Sequence, residues 1–250
     1  MTALPPPEAP PHSVSDDVAM PLLAHIRELR QRLLRAALFW LLATLIAVVA
    51  SEWIILWLVR PLQDIELVAL SPTEAPVMYF QVALVAGLAV ALPYILYQIY
   101  AFIRPGLRPE ERKIFVWGIP LALLLFLAGA LFTVEVLVGL SMPVLLSFLG
   151  DVVRPIYSLE NYLHFVSTLL VWMGLIFQTP LVVYAVARIG WVTPAQLSKA
   201  RRPVWFLAAL AAAVVTPTTD PITMLLVTAP FVVLYEIGVL LARVATRQRN

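Results

Sequence analysis

Apolar residues along this chain come in long unbroken runs, without the three-to-four spacing of a helix lying on a soluble core. The runs cover residues 33–59, 77–103, 114–140, 162–187, 204–216 and 222–242, and short connections between them carry most of the charge. About 20 residues at 1.5 Å each cross a ~30 Å hydrocarbon layer, so five of the six runs are long enough to span a bilayer as α-helices. The run 204–216 reaches only about 20 Å. Pro217 and Pro221 end it sharply and a full-length run follows, which predicts a short fifth span. The pattern as a whole predicts an all-α integral membrane protein with six transmembrane helices.

Pro93, Pro120, Pro180 and Pro230 fall inside four of the runs. Each removes a backbone hydrogen bond and crowds the preceding turn, so several helices should be kinked and the bundle curved, with a concave face. Ahead of the first run, Leu22, Ile26, Leu29 and Leu33 fall on one helical face, with Arg27, Glu28, Arg30 and Gln31 on the other. This predicts an amphipathic helix on the membrane surface. Residues 1–20, with Pro5, Pro6, Pro7, Pro10 and Pro11 among acidic and small polar residues, predict a disordered tail. They lack the basic start, apolar stretch and cleavage site of a signal peptide, so the first span is expected to act as the targeting signal. The expected organisation is the tail, a membrane domain over 21–243 and a C-terminal tail over 244–250.

Composition supports the membrane assignment. The chain is 62% hydrophobic and 13% charged, where a soluble domain is about a quarter charged. The positions of the cations give an orientation. Arg27, Arg30, Arg32 and Arg35, then Arg104, Arg108, Arg112 and Lys113, then Arg188, Lys199, Arg201 and Arg202, and finally Arg243, Arg247 and Arg249 lie on one side, 15 of the 17 Lys and Arg. Only Arg60 and Arg154 lie on the other, which is acidic through Asp64, Glu66, Glu74, Asp151, Glu160 and Asp220. The positive-inside rule places both termini in the cytoplasm.

There is no cysteine, and three scattered histidines form no metal-ligand pattern. No P-loop is present, and the basic residues form no patch interleaved with aromatics, so neither a nucleotide cofactor nor a nucleic-acid partner is expected. His164 and Ser167 lie one turn apart, but no orienting group or oxyanion element accompanies them, and no catalysis is inferred. Glu28, an acid among four arginines, contributes nothing to lipid binding, so it pairs locally or accepts a cation from a partner. Pro109 followed by Glu110 and Glu111 suits the first turn of a helix, where negative charge meets the dipole. Gln178, Glu135 and Glu236 are the expensive polar residues inside the runs and should face the protein interior or a water-filled groove. Glu236 is placed to pair with a neighbouring helix, and Glu135 lies toward the outer interface.

Taken in order, His25-Ile-Arg-Glu-Leu-Arg30, Ser71-Pro-Thr-Glu74, Pro93-Tyr-Ile-Leu-Tyr-Gln98, Ala101-Phe-Ile-Arg-Pro-Gly-Leu107, Glu111-Arg112, Arg201-Arg202, Thr216-Pro217, Asp220-Pro221 and Leu234-Tyr-Glu236 resemble the TatC family of twin-arginine translocase proteins. The resemblance runs from Met20 to Arg243. It implies a receptor and core component that exports folded proteins carrying a paired-arginine signal peptide, driven by the proton-motive force in the bacterial cytoplasmic membrane. The implied partners are TatB-like and TatA-like single-span proteins in a homo- and hetero-oligomeric complex. The resemblance assigns Glu111 as the primary ligand of the arginine pair and Glu28 as its support, with Phe102 and Arg30 in the same site. It also marks Pro61, Ser71, Pro72, Glu74, Asp220 and Glu236 as outer-loop or structural positions. Gln178, where many relatives carry glutamate, is the expected contact with a partner helix; an amide can hydrogen-bond there but cannot carry a proton. Ala75-Pro76 and Gln81 also depart from the family pattern. The rival from another class is a small-solute transporter or channel. It predicts inverted repeats or paired broken helices, and no internal repeat is found.

Overall fold

In the computed structural model the described residues are 22–62, 67–147, 156–216 and 220–247. The expected tail 1–20 lies outside them. The first helix, α1 (Leu22–Val59), holds 38 residues, or about 57 Å. The sequence predicts a surface helix followed by a span, but the two form one uninterrupted helix, because no proline or glycine stands between Leu22 and Val59. The amphipathic residues are its first turns. A short 3-10 turn, Arg60–Leu62, contains Pro61 and ends α1.

A two-residue strand β1 (Leu67–Val68) leads to α2 (Glu74–Ile103), which holds Pro93. A 3-10 turn at Arg104–Gly106 reverses the chain into α3 (Pro109–Phe132). A π-helical stretch at Thr133–Val138 then passes into α4 (Gly139–Ser147). The third span therefore carries a wide turn that hydropathy alone does not reveal, and it runs seven residues past its expected end at 140. Strand β2 (Tyr157–Ser158) precedes α5 (Leu159–Ile176) and pairs in parallel with β1, Leu67 opposite Tyr157 and Val68 opposite Ser158.

The expected fourth span holds a two-residue turn. Helix α5 ends at Ile176 and α6 (Thr179–Ile189) begins after Gln178, with Pro180 in its first turn. Pro180 has no N–H to bond back across the junction, and Phe177 and Gln178 keep right-handed helical dihedrals, so the segment is a local turn at the place where the kink is expected. Gly190, at φ 87°, caps α6 in the left-handed conformation that glycine adopts without strain. Short α7 (Pro194–Lys199) opens on a capping box made by Thr193 and Gln196, and leads to α8 (Arg201–Val215) and α9 (Pro221–Arg247).

Among the described residues, five segments are long and apolar enough to cross a membrane: 24–62, 74–106, 116–145, 159–189 and 221–246. The remaining run, 204–216, falls in α8, whose 15 residues reach about 22 Å. It is the helix at the place where the sequence predicts a short fifth span.

Helices α1 and α2 approach closely because both bury small residues, Ala43, Ala47 and Ser51 on one and Ala83, Gly87 and Ala91 on the other. A Cβ added at Gly87 would come within 2.7 Å of the Thr44 backbone. Trp40 Nε1 donates to Leu84 O at 3.0 Å and Tyr79 Oη to Val48 O at 2.7 Å, tying the pair along its length. The main apolar core lies in the half of the bundle away from the termini, where Leu58, Met78, Val82, Leu137, Leu163 and Leu169 meet. A smaller cluster of Val183, Ala187, Tyr235, Val239 and Ala242 joins α6 to α9 near the terminal end. Helices α2, α3 and α6 line an apolar groove of about 280 Å³, from Leu96, Ile99 and Ile103 across Ile119 to Leu181 and Ala185.

Candidate functional site

Polar side chains gather at the terminal end, where the first turns of α1 meet the last turns of α2. His25, Glu28 and Arg32 fall at i, i+3 and i+7 and so share one face of α1. Gln98 and Phe102, four apart on α2, oppose them. The His25 ring stacks on Phe102 with centroids 4.2 Å apart and planes inclined by 20°. Arg32 Nε and Nη2 donate to Glu28 Oε1 at 2.8 and 2.5 Å. Arg32 Nη1 donates across the helix interface to Oε1 of the buried Gln98 at 3.4 Å. Glu28 Oε2 lies 4.0 Å from His25 Nδ1. Glu28, which the sequence leaves to pair locally or bind a cation, therefore pairs locally with a guanidinium, and the pair is anchored to α2 through an amide.

Phe102 is half-buried in this cluster, and Arg30 is exposed. Glu111 stands in the first turn of α3, past the turn in which Leu107 N–H donates to Arg104 O at 3.1 Å and Leu107 is buried. The backbone thus places Glu111 at the same end of the bundle as Glu28. Its side chain lies outside those described.

The opposite end is organised by Glu74. Its side chain is 5% exposed, and its two oxygens serve different loops. Oε1 accepts from Leu70 N–H at 3.1 Å, and Oε2 accepts from Ser158 Oγ at 3.3 Å. Ser158 in turn accepts from Asn161 N–H and caps α5. Ser71 supplies its backbone carbonyl to Glu74 N–H and its hydroxyl to Thr73, while Pro72 is exposed. Tyr162 Oη donates to Leu58 O at 2.6 Å. Burial raises the Tyr157 hydroxyl above the ordinary tyrosine value. Asp220 Oδ1 accepts from Thr223 N–H at 2.7 Å and caps α9, with Pro221 next.

Gln178 sits at the turn in the fourth span, 8% exposed. Its N–H turns to Leu175 O, leaving Gly174 O without its usual helical donor. The side-chain Nε2 supplies that donor at 3.3 Å and also reaches Ala122 O of α3 at 2.9 Å. Its Oε1 is buried without a partner among the described residues. On α9, Glu236 pairs with Arg201 at the start of α8 at 2.7 Å, the neighbouring-helix pairing its position predicts. Glu135 lies exposed on the π-helical stretch.

His164 and Ser167 are not brought together. His164 Nδ1 meets Gln81 Nε2 at 3.2 Å, and Ser167 Oγ is buried without a partner among the described residues. Those residues also hold no group of three His, Asp or Glu that could bind a metal ion. Sequence reasoning missed Arg32, Gln98 and Ser158 as partners. The Glu28/Arg32 spacing of four was the one available signal.

Residues 24–230 match the family of Sec-independent protein translocase proteins, TatC. The chain is 36% identical to the Sec-independent protein translocase protein TatC of Deinococcus radiodurans over 98% of its own length and 94% of that protein. It is 34% identical to the Aquifex aeolicus TatC, covering 92% of this chain and 98% of the other. Among solved structures it is similar to the crystal structure of the twin-arginine translocase receptor TatC, with a TM-score of 0.79, 33% identity and coverage of 89% of this chain and 99% of that one. A multi-pass helical bundle matched over nearly its whole length leaves one assignment: the chain belongs to the TatC family of Sec-independent protein translocases.

Proposed function

We propose that this chain is the signal-peptide receptor and core component of a twin-arginine export complex in the bacterial cytoplasmic membrane, with both termini in the cytoplasm. The observation that carries the proposal is the presentation of Glu28: an acid at the terminal end of the bundle, already in contact with the Arg32 guanidinium, which reaches Gln98, and one turn from His25 stacked on Phe102. Guanidinium forks bind carboxylates through paired N–H bonds, and a site built for that geometry distinguishes arginine from lysine. Glu111 takes the arginine pair, Glu28 supports it, and Phe102 and Arg30 shape the approach. The apolar stretch that follows the charged start of a signal peptide fits the groove lined by Ile99, Ile103 and Leu181.

TatB-like and TatA-like single-span proteins complete the complex, which uses the proton-motive force. Gln178, at the turn in the fourth span, lies in the contact with one of them; photo-crosslinking from position 178 that captured only lipid would remove that assignment. The receptor role is tested by binding of labelled signal peptides to the protein in nanodiscs. An Arg-Arg peptide should bind more tightly than Lys-Lys, and the preference should be lost mainly in Glu111→Gln and partly in Glu28→Gln. Equal binding of the two peptides to the intact protein would overturn the receptor reading.

A further inference from the structure

Two exposed polar side chains inside the spans have no part in the receptor site. Glu135, on the π-helical stretch, continues a stripe begun by the exposed Leu127 and Leu131 at four-residue spacing. It makes no hydrogen bond or ion pair among the described residues. Its depth follows from the antiparallel contacts of α3 with α5, where Gln178 Nε2 bonds Ala122 O, Gly174 lies against Phe126 and Gly129 against Met173. Continued by two turns, that register sets Glu135 level with about residue 166, roughly 10 Å inside the start of α5 at Leu159. Val134 and Leu137 beside it are indeed buried in one cluster with Leu163 and Val166. A carboxylate facing lipid at that level is costly, and such groups ordinarily have a partner.

His164 stands at nearly the same level on α5 and is also exposed. Its Nδ1 meets Gln81 Nε2 at 3.2 Å. With the amide donating, the ring proton sits on Nε2 and leaves one uncommitted donor. The exposed Trp172 and Leu175 continue the His164 face along α5. By the same register Leu131 is level with Trp172, and Leu127 with Leu175, to within about half a turn.

We propose that these stripes are the two halves of a contact between copies of this chain, in which Glu135 of one copy accepts from His164 Nε2–H of the next. Copies in one membrane share an orientation, so residues keep their depth and only equal levels can meet. At those levels the stripes are complementary: carboxylate opposite imidazole N–H, Leu131 opposite Trp172 and Leu127 opposite Leu175. A carboxylate only accepts hydrogen bonds, so the α3 stripe set against itself would bring two acids together with no donor between them. The α5 stripe set against itself would oppose two donors. The contact is therefore head-to-tail, each copy using both stripes, which builds a ring where the rotation closes. Burying the pair away from lipid headgroups and water strengthens it, because the local dielectric is low. The surface lies far from Glu28 and Phe102, and the inference stands apart from the receptor reading.

The chain has no cysteine, so disulfide crosslinking needs no prior substitution. Two full-length copies with different tags, one carrying Leu131→Cys and the other Trp172→Cys, are produced together and oxidised in their native membranes. The mixed pair should form a disulfide between copies, while Leu131→Cys with itself and Trp172→Cys with itself should not. Adding Glu135→Lys to the first copy should lower the mixed yield by about tenfold, the loss of one charge-assisted hydrogen bond. His164→Glu in the second copy should then restore it, since the charges are exchanged. Glu135→Gln, which keeps an acceptor but no charge, should lower the yield less and serves should Glu135→Lys insert poorly. Mixed yields no higher than the same-site yields overturn the head-to-tail contact. A mixed yield indifferent to both Glu135 variants overturns the pairing with His164. Signal-peptide binding by the same membranes reports on the receptor reading separately.

Discussion

Replacing Glu74 with alanine tests whether the end of the bundle away from the termini is held by one buried carboxylate. The side chain accepts from Leu70 N–H at 3.1 Å and from Ser158 Oγ at 3.3 Å, so its loss unties the first loop from the start of α5. A hydrogen bond to a charged group contributes about 1.5–3 kcal/mol, and the longer of the two belongs at the low end, so the pair is worth about 3–4 kcal/mol. Glu74 also lies in the first turn of α2, where a negative charge adds about 0.5 kcal/mol. Because Ser158 keeps Asn161 as a partner while Leu70 N–H loses its acceptor, Glu74→Ala should lower the unfolding temperature by roughly 5–15 °C. Glu74→Gln retains the acceptor for Leu70 and gains a donor for Ser158, and should cost about 1 kcal/mol. The assay is thermal unfolding of the purified protein in detergent followed by tryptophan fluorescence, with hydrogen exchange at the Leu70 amide as the local readout. An unfolding temperature for Glu74→Ala indistinguishable from wild type would refute the argument. So would equal damage from Gln and Ala, which would locate the effect in charge alone.

Gly87→Val should destabilise the protein by about 1–3 kcal/mol, since any Cβ there meets the Thr44 backbone; normal unfolding would mean that α1 and α2 pack less closely than described. Gln178→Leu should cost about 1–2 kcal/mol through loss of the donor to Gly174 O and Ala122 O, and a gain in stability would show that the orphaned Oε1 outweighs that donor. Arg201→Gln and Glu236→Gln should each destabilise by about 1–2 kcal/mol, with the double variant less damaged than their sum, as unfolding cycles would measure; strict additivity would mean the pair is not coupled. Adding one helical turn to α8 should impair export of a twin-arginine reporter while leaving signal-peptide binding intact, on the argument that the short helix thins the local bilayer. Unimpaired export would end that argument.

The spans were legible because lipid imposes length: the runs 77–103 and 222–242 differ from α2 and α9 by a few residues. Where local chemistry decides, hydropathy was silent. Pro180 marked the place of the turn in the fourth span, but not that Gln178 redirects its N–H to Leu175 O and supplies a side-chain donor to Gly174 O, a matter of two hydrogen bonds. The π-helical stretch at Thr133–Val138 carries no proline or glycine to mark it. Two-residue strands carry no periodicity, so the pairing of Leu67 with Tyr157 left no trace in the sequence pattern. At the terminal end, the resemblance singled out Glu28 and Phe102. The side chains that hold them, Arg32, Gln98 and His25, lie on two helices distant in sequence and are recognised only once α1 and α2 are placed together.

The β1–β2 pair also bears on how the chain enters the membrane. Its halves lie about ninety residues apart, a gap of roughly 5–20 s at the pace of synthesis. Between them lie the crossing made by α2 and the crossing made by α3 with α4. If either fails to insert, β2 and Ser158 emerge on the wrong face, and Glu74 is left without the hydroxyl that closes its second oxygen. The pairing is therefore a parity check: it closes only when an even number of crossings separates its two strands.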